Sequence, residues 1–105
     1  MATISKTFQD YVHKKDKISV RMVLKDSLLL DKTFKDFSYK SKYAENRISD
    51  LYDEHNGEKF LDEEKWTEDY LDEQEITLDL NFSKERIDIL KQIIRKLYKP
   101  VQNNE

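Results

Sequence analysis

Glu75-Ile76-Thr77-Leu78-Asp79-Leu80-Asn81-Phe82 alternates polar and apolar side chains without a break. In an extended strand, successive side chains point to opposite faces. Ile76, Leu78, Leu80 and Phe82 would share one face, and Thr77, Asp79 and Asn81 the other. One face then meets a core and the other meets water, as antiparallel sheets commonly arrange. A second alternating run lies upstream, where Ile18, Val20, Met22 and Leu24 are separated by Ser19, Arg21 and Val23. Helical spacing also accommodates that region, through Val20, Val23, Leu24, Ser27, Leu28 and Phe34. Its β-branched content favours a strand. Asp26-Ser27 would turn the chain toward a further strand at 28–34, and 59–61 would supply another short one.

Helical patterns surround these runs. Ile4, Phe8, Tyr11 and Val12 follow helical spacing over 4–14, with Thr3 or Ser5 as the cap. Tyr43, Ala44, Arg47, Ile48, Leu51 and Tyr52 trace one stripe over 41–55, closed by Asn56-Gly57. An acidic helix over 62–73 takes Asp62 as N-cap and places Trp66 and Tyr70 on one face. Over 84–98, with Ser83 as N-cap, Ile87, Ile89, Leu90, Ile93, Ile94, Leu97 and Tyr98 span an arc of roughly 180°, at 100° per residue. That is wider than a surface helix needs, so a sheet plus another helix, or a second subunit, must cover the surplus. Pro100 ends this element, and 101–105 reads as a frayed tail. The expected fold is α+β: a helix-rich small single domain over 1–105, with a small antiparallel sheet and a long C-terminal helix packed on it.

Composition narrows the chemistry. The 105 residues include no cysteine, one glycine and one proline. Disulfides and thiolate metal sites are excluded, and so are the glycine-rich phosphate loops of dinucleotide- and nucleotide-binding folds. Leu28-Leu29-Leu30 is as long as any unbroken apolar run, far below the roughly 20 residues of a membrane span. With no leader-like segment, the chain reads as a cytoplasmic protein without a membrane partner. Its many Lys, Ile, Asn, Tyr, Asp and Glu suggest an AT-rich bacterial or phage source.

Charge is divided along the chain. Residues 1–49 carry 11 Lys and Arg against 6 acids, 50–82 carry 2 Lys against 13 acids, and 83–105 carry 6 bases against 3 acids. Neither His13 nor His55 belongs to a metal-ligand pattern. A calcium loop with Gly57 at its sixth position would begin at Tyr52, which is no ligand. No serine has the flanking glycines of a nucleophile elbow. The expectation is a protein with no cofactor and no catalytic residues.

Two binding surfaces stand out. Asp62, Glu63, Glu64, Glu68, Asp69, Asp72 and Glu73 surround Trp66 and Tyr70, two residue types common as interface anchors. The alternative is nucleic-acid binding through Lys32, Lys35, Lys40 and Lys42, interleaved with Phe34, Phe37, Tyr39 and Tyr43, together with the C-terminal helix. The leading expectation is a non-enzymatic protein-interaction or inhibitor domain, monomeric or homodimeric, whose acidic region 50–75 docks a basic protein. Immunity proteins, antitoxin-like inhibitors and phage accessory proteins supply an analogy of composition only.

Overall fold

The computed structural model describes residues 4–98. Five α-helices and one short 3-10 turn make up the regular structure, and no β-strand occurs among the described residues. The expected α+β fold with an antiparallel sheet is therefore corrected to an all-helical one. The chain divides into two compact units, Met1–Leu51 and Tyr52–Glu105.

The first unit holds α1 (Lys6–His13), α2 (Lys17–Leu30) and α3 (Lys35–Glu45), with α2 packed against both others. Ser5 caps α1 by accepting the Phe8 N–H at 3.1 Å. The helix ends in a Schellman motif: Asp16 N–H reaches Tyr11 O at 2.9 Å and Lys15 N–H reaches Val12 O at 3.0 Å. Lys15 occupies the left-handed position usually given to glycine, at φ 56°. Asp16 then caps α2 through the Ser19 N–H.

Residues 17–25 are helix, not strand. Val20, Leu24, Ser27 and Leu28 are buried at i, i+4, i+7 and i+8, while Ile18 and Met22 are exposed. Residues two apart on a helix lie about 200° apart, so alternate apolar residues need not share a face. The period-two pattern came from two apolar rows on opposite sides of one helix. Residues 28–30 complete α2 in place of a second strand. Asp31 makes the turn that follows, its carboxylate accepting from Thr33 N–H, Thr33 Oγ1 and Asp36 N–H. These bonds, Thr33's first, hold its pKa below the usual carboxylate value.

The helix expected over 41–55 ends at Glu45. Beyond it, Ile48 and Leu51 still reach the core. The segment is pinned by its carbonyls: Lys15 Nζ donates to Arg47 O at 2.6 Å, and Arg21 donates to Leu51 O at 2.7 and 3.0 Å. Lys17 pairs with Asp50 at 2.9 Å.

In the second unit, α4 (Glu68–Leu80) and α5 (Lys84–Leu97) pack as a helical hairpin. Thr67 and Ser83 cap them, accepting the Tyr70 and Arg86 N–H groups. Tyr70, Leu71, Leu78, Phe82, Ile87, Leu90, Ile93 and Ile94 are buried. The α5 expectation thus holds to within one residue at its end and for Ile87, Leu90, Ile93 and Ile94, whereas Ile89 and Leu97 are half-buried, Tyr98 is exposed, and the cover is α4 and not a sheet. The supposed strand at 75–82 is the second half of α4 and the turn after it. Leu78 is 1% exposed, whereas Ile76 and Leu80 are 65% and 81% exposed. The short strand at 59–61 is irregular chain, and the expected helix at 62–73 is a 3-10 turn (Glu63–Lys65) followed by α4. The one sheet-like feature among the described residues is an isolated Asp53–Ser83 bridge. The tail at 101–105 lies outside the described residues.

Candidate functional site

The fold changes what the acidic region presents. Helix α4 carries six acids and no base. At 100° per residue its buried row (Tyr70, Leu71, Gln74, Leu78) faces the unit's core. Two rows remain on the outer side. One is Glu68, Asp72, Glu75 and Asp79, acidic throughout. The other is Asp69, Glu73, Ile76 and Leu80, acidic in its first half and apolar in its second. Asp69, Asp72 and Glu73 are exposed, and none of them forms a salt bridge among the described residues. Glu68 accepts the Tyr98 hydroxyl at 3.0 Å. That bond first, then some loss of solvation and the charges of Glu68, Asp72 and Glu75, push the phenol pKa up. The direction is that of negative potential along the acidic row.

The other sequence-derived site residues divide by environment. Asp62, Glu63 and Glu64 are exposed around the 3-10 turn. Tyr70 is core: it is 7% exposed, and its hydroxyl accepts the Leu61 N–H at 3.0 Å. Trp66 is half-buried, its indole N–H donating to Leu61 O at 2.8 Å. It lines an open groove of about 550 Å³ with Glu63, Gln92, Arg95 and Lys96, in which charges of both signs meet. Tyr70 is thus turned into the core, while Ile76 and Leu80 are the exposed apolar side chains of α4.

Holding α4 in place is a residue the sequence reading did not single out. Arg86, on the first turn of α5, is wholly buried. Its guanidinium meets Glu58 Oε1 and Gln74 Oε1 at 2.6 Å each, Asn56 Oδ1 at 3.0 Å, Asn81 Oδ1 at 3.3 Å and Asn81 O at 3.2 Å. Five N–H donors thus find five acceptors. Gln74 Nε2 donates to Glu58 Oε2 at 3.0 Å, closing the network. The Arg86 bond, set against partial burial, keeps the Glu58 pKa below its ordinary value. His55 adds a second tie. Its Nε2 lies 2.8 Å from Glu58 O, a carbonyl that can only accept, so Nε2 carries a proton, and Nδ1 lies 3.2 Å from Ser83 Oγ. A polar residue in an otherwise apolar row, Gln74 between Tyr70 and Leu78, was the available signal for such a centre.

The alternative lysines are dispersed in role. Lys32, Lys35 and Lys42 are exposed. Lys40 is partly buried and donates to Asp36 at 2.9 Å and Ser27 Oγ at 3.1 Å. Phe34 and Phe37 are core, and the Arg47 guanidinium covers the Tyr43 ring at 3.8 Å. Tyr39 is the exposed aromatic of that set.

No protein family, curated protein or solved structure matches the chain. No helix among the described residues is long and apolar enough to cross a membrane.

Proposed function

We propose that this is a non-enzymatic, cytoplasmic interaction protein, inhibitor-like in kind, whose outer α4 face docks a basic partner. The supporting observation is the pairing of an unbroken acidic row with exposed Ile76 and Leu80 on one helix that carries no base. Apolar contact supplies burial energy, while the acids steer encounter and reject acidic surfaces. The unit bearing α4 holds 15 acids and 8 bases, so the long-range field around it favours cations.

A labelled amphipathic Lys/Leu peptide, followed by fluorescence anisotropy at two salt concentrations, tests this. Asp69→Asn, Asp72→Asn and Glu73→Gln together should weaken binding by roughly tenfold or more, given the size of close charge couplings. The same number of neutralisations at Asp62, Glu63 and Glu64 should cost much less. Equal losses from both sets would reduce the effect to net charge and refute a specific face.

Nucleic-acid binding through Lys32, Lys35 and Lys42 is a weaker reading, because Phe34 and Phe37 are buried and cannot stack on bases. A gel shift at low salt would revive it.

A further inference from the structure

The outer side of α4 divides its chemistry by length. At 100° per residue the inner row centres between Gln74 and Leu78, and Ile76 stands about 180° from that centre. Asp69, Ile76 and Leu80 fall within about 40° of one another, so they make one outer line. Ile76 and Leu80 are 65% and 81% exposed. Asp69 is exposed, as are Asp72 and Glu73 on either side of the line, and none of the three forms a salt bridge among the described residues. At a rise of 1.5 Å per residue, these acids precede the apolar pair by roughly 10 Å along the axis. The first half of the line is anionic and the second half apolar.

The spacing also selects the kind of segment that fits. Positions 69, 72 or 73, 76 and 80 recur at helical intervals, the pattern by which one helix meets another along a shared seam. The backbone groups of α4 are used within the helix, so an extended peptide finds no ladder to join, whereas a helix brings its own backbone already bonded.

We infer that the basic partner of α4 is a helix divided in the same way, with its apolar residues in its N-terminal half and its lysines or arginines in its C-terminal half, lying antiparallel to α4. The inference rests on the reading of α4 as a docking surface and specifies the partner's pattern and direction. The direction follows from the helix dipole, because cations stabilise the last turn of a helix and oppose the first. A partner whose cations meet Asp69, Asp72 and Glu73 keeps them in its own C-terminal half only when it runs antiparallel. Helix α4 obeys the same rule with opposite sign, carrying Glu68 and Asp69 in its first turn.

Three helical peptides of one Leu, Lys and Ala composition test this on the full chain, each acetylated, amidated and labelled for fluorescence anisotropy. One places Leu first and Lys last, the second reverses that order, and the third spreads both along its whole length. The Leu-first peptide should bind roughly tenfold more tightly than the evenly spread one, because only it brings every cation to the acids and every leucine to Ile76 and Leu80. It should also bind several-fold more tightly than the Lys-first peptide. Ile76→Ser with Leu80→Ser, both at exposed positions, should erase its advantage while circular dichroism shows the variant still helical. A nitroxide at its C-terminal end should broaden the amide signals of Asp69 and Glu73 and spare that of Leu80. A Leu-first peptide that is not the tightest, while all three peptides still weaken on neutralising Asp69, Asp72 and Glu73, overturns the proposed partner and leaves the docking face standing. Broadening at Leu80 in place of Asp69 overturns the direction. Peptides that bind alike whether or not those acids are neutralised remove the docking face itself.

Discussion

Replacing Arg86 with methionine removes five hydrogen bonds and leaves five acceptors in and around a core position. Glu58, with its side chain 35% exposed, can recover water. Gln74 is 1% exposed and cannot. Breaking a buried, hydrogen-bonded charge centre typically costs about 3–5 kcal/mol. A unit of this length has a total stability on the order of 3–8 kcal/mol, so the substitution should remove most of it. Trp66 is the only tryptophan and lies in this unit. Its fluorescence in a urea titration therefore reports the second unit, while circular dichroism reports both. The Trp66 transition of R86M should move to much lower urea or vanish. Arg86→Lys should also destabilise, since an ammonium cannot span the same fork of acceptors. An R86M stability within about 0.5 kcal/mol of wild type, the scale of an ordinary surface substitution, would refute this view of the network.

Three further outcomes follow from local geometry. The folded-state pKa of Glu58 lies below its unfolded value, so its contribution is complete above the unfolded pKa and is lost as pH falls through the folded one. Acid titration monitored at Trp66 should show wild type losing more stability than Glu58→Gln over that range; parallel curves would contradict it. At Lys15, held at φ 56°, Lys15→Gly should be more stable than Lys15→Ala by about 1 kcal/mol, measured by urea denaturation. Gly57 has φ 92° and open space within 4 Å of where an added methyl would sit, so Gly57→Ala should cost about 1 kcal/mol through backbone strain alone. An unchanged midpoint in that variant would show that the loop relaxes freely.

For α1 and α5 the helix caps and inner faces were readable from sequence. Ser5 and Ser83 stand out as caps, and Ile87, Leu90, Ile93 and Ile94 as a buried face, because capping chemistry and helical spacing are local properties. Both main strand expectations failed for one physical reason. Ile18 and Met22, like Ile76 and Leu80, are apolar residues on the solvent side of a helix, and with Val20, Leu24 and Leu78 on the inner side they produce alternation. An alternation template assumes that apolar means buried, and these four residues break that assumption. Ile76 and Leu80 are also residues that the docking proposal uses, which fits the expectation that local rules are violated where a surface has a task. Arg86 was illegible for the opposite reason. Its acceptors are spread from Asn56 to Asn81, and only the folded chain gathers them.

The acidic and aromatic candidates were readable as a region but not as a surface. Composition located the negative charge, yet whether it would be neutralised by nearby lysines depended on which helix rows faced out. The α4 boundaries decide that: Tyr70 turns inward, and Asp69, Asp72 and Glu73 turn out without salt bridges among the described residues.

Amide chemical-shift mapping in a titration with the basic amphipathic peptide examines the docking face residue by residue. Perturbations should concentrate on Asp69, Asp72, Glu73, Ile76 and Leu80 and fade as salt is raised. Shifts spread evenly over every acidic segment, or centred on the Trp66 groove, would mean that α4 has no privileged role.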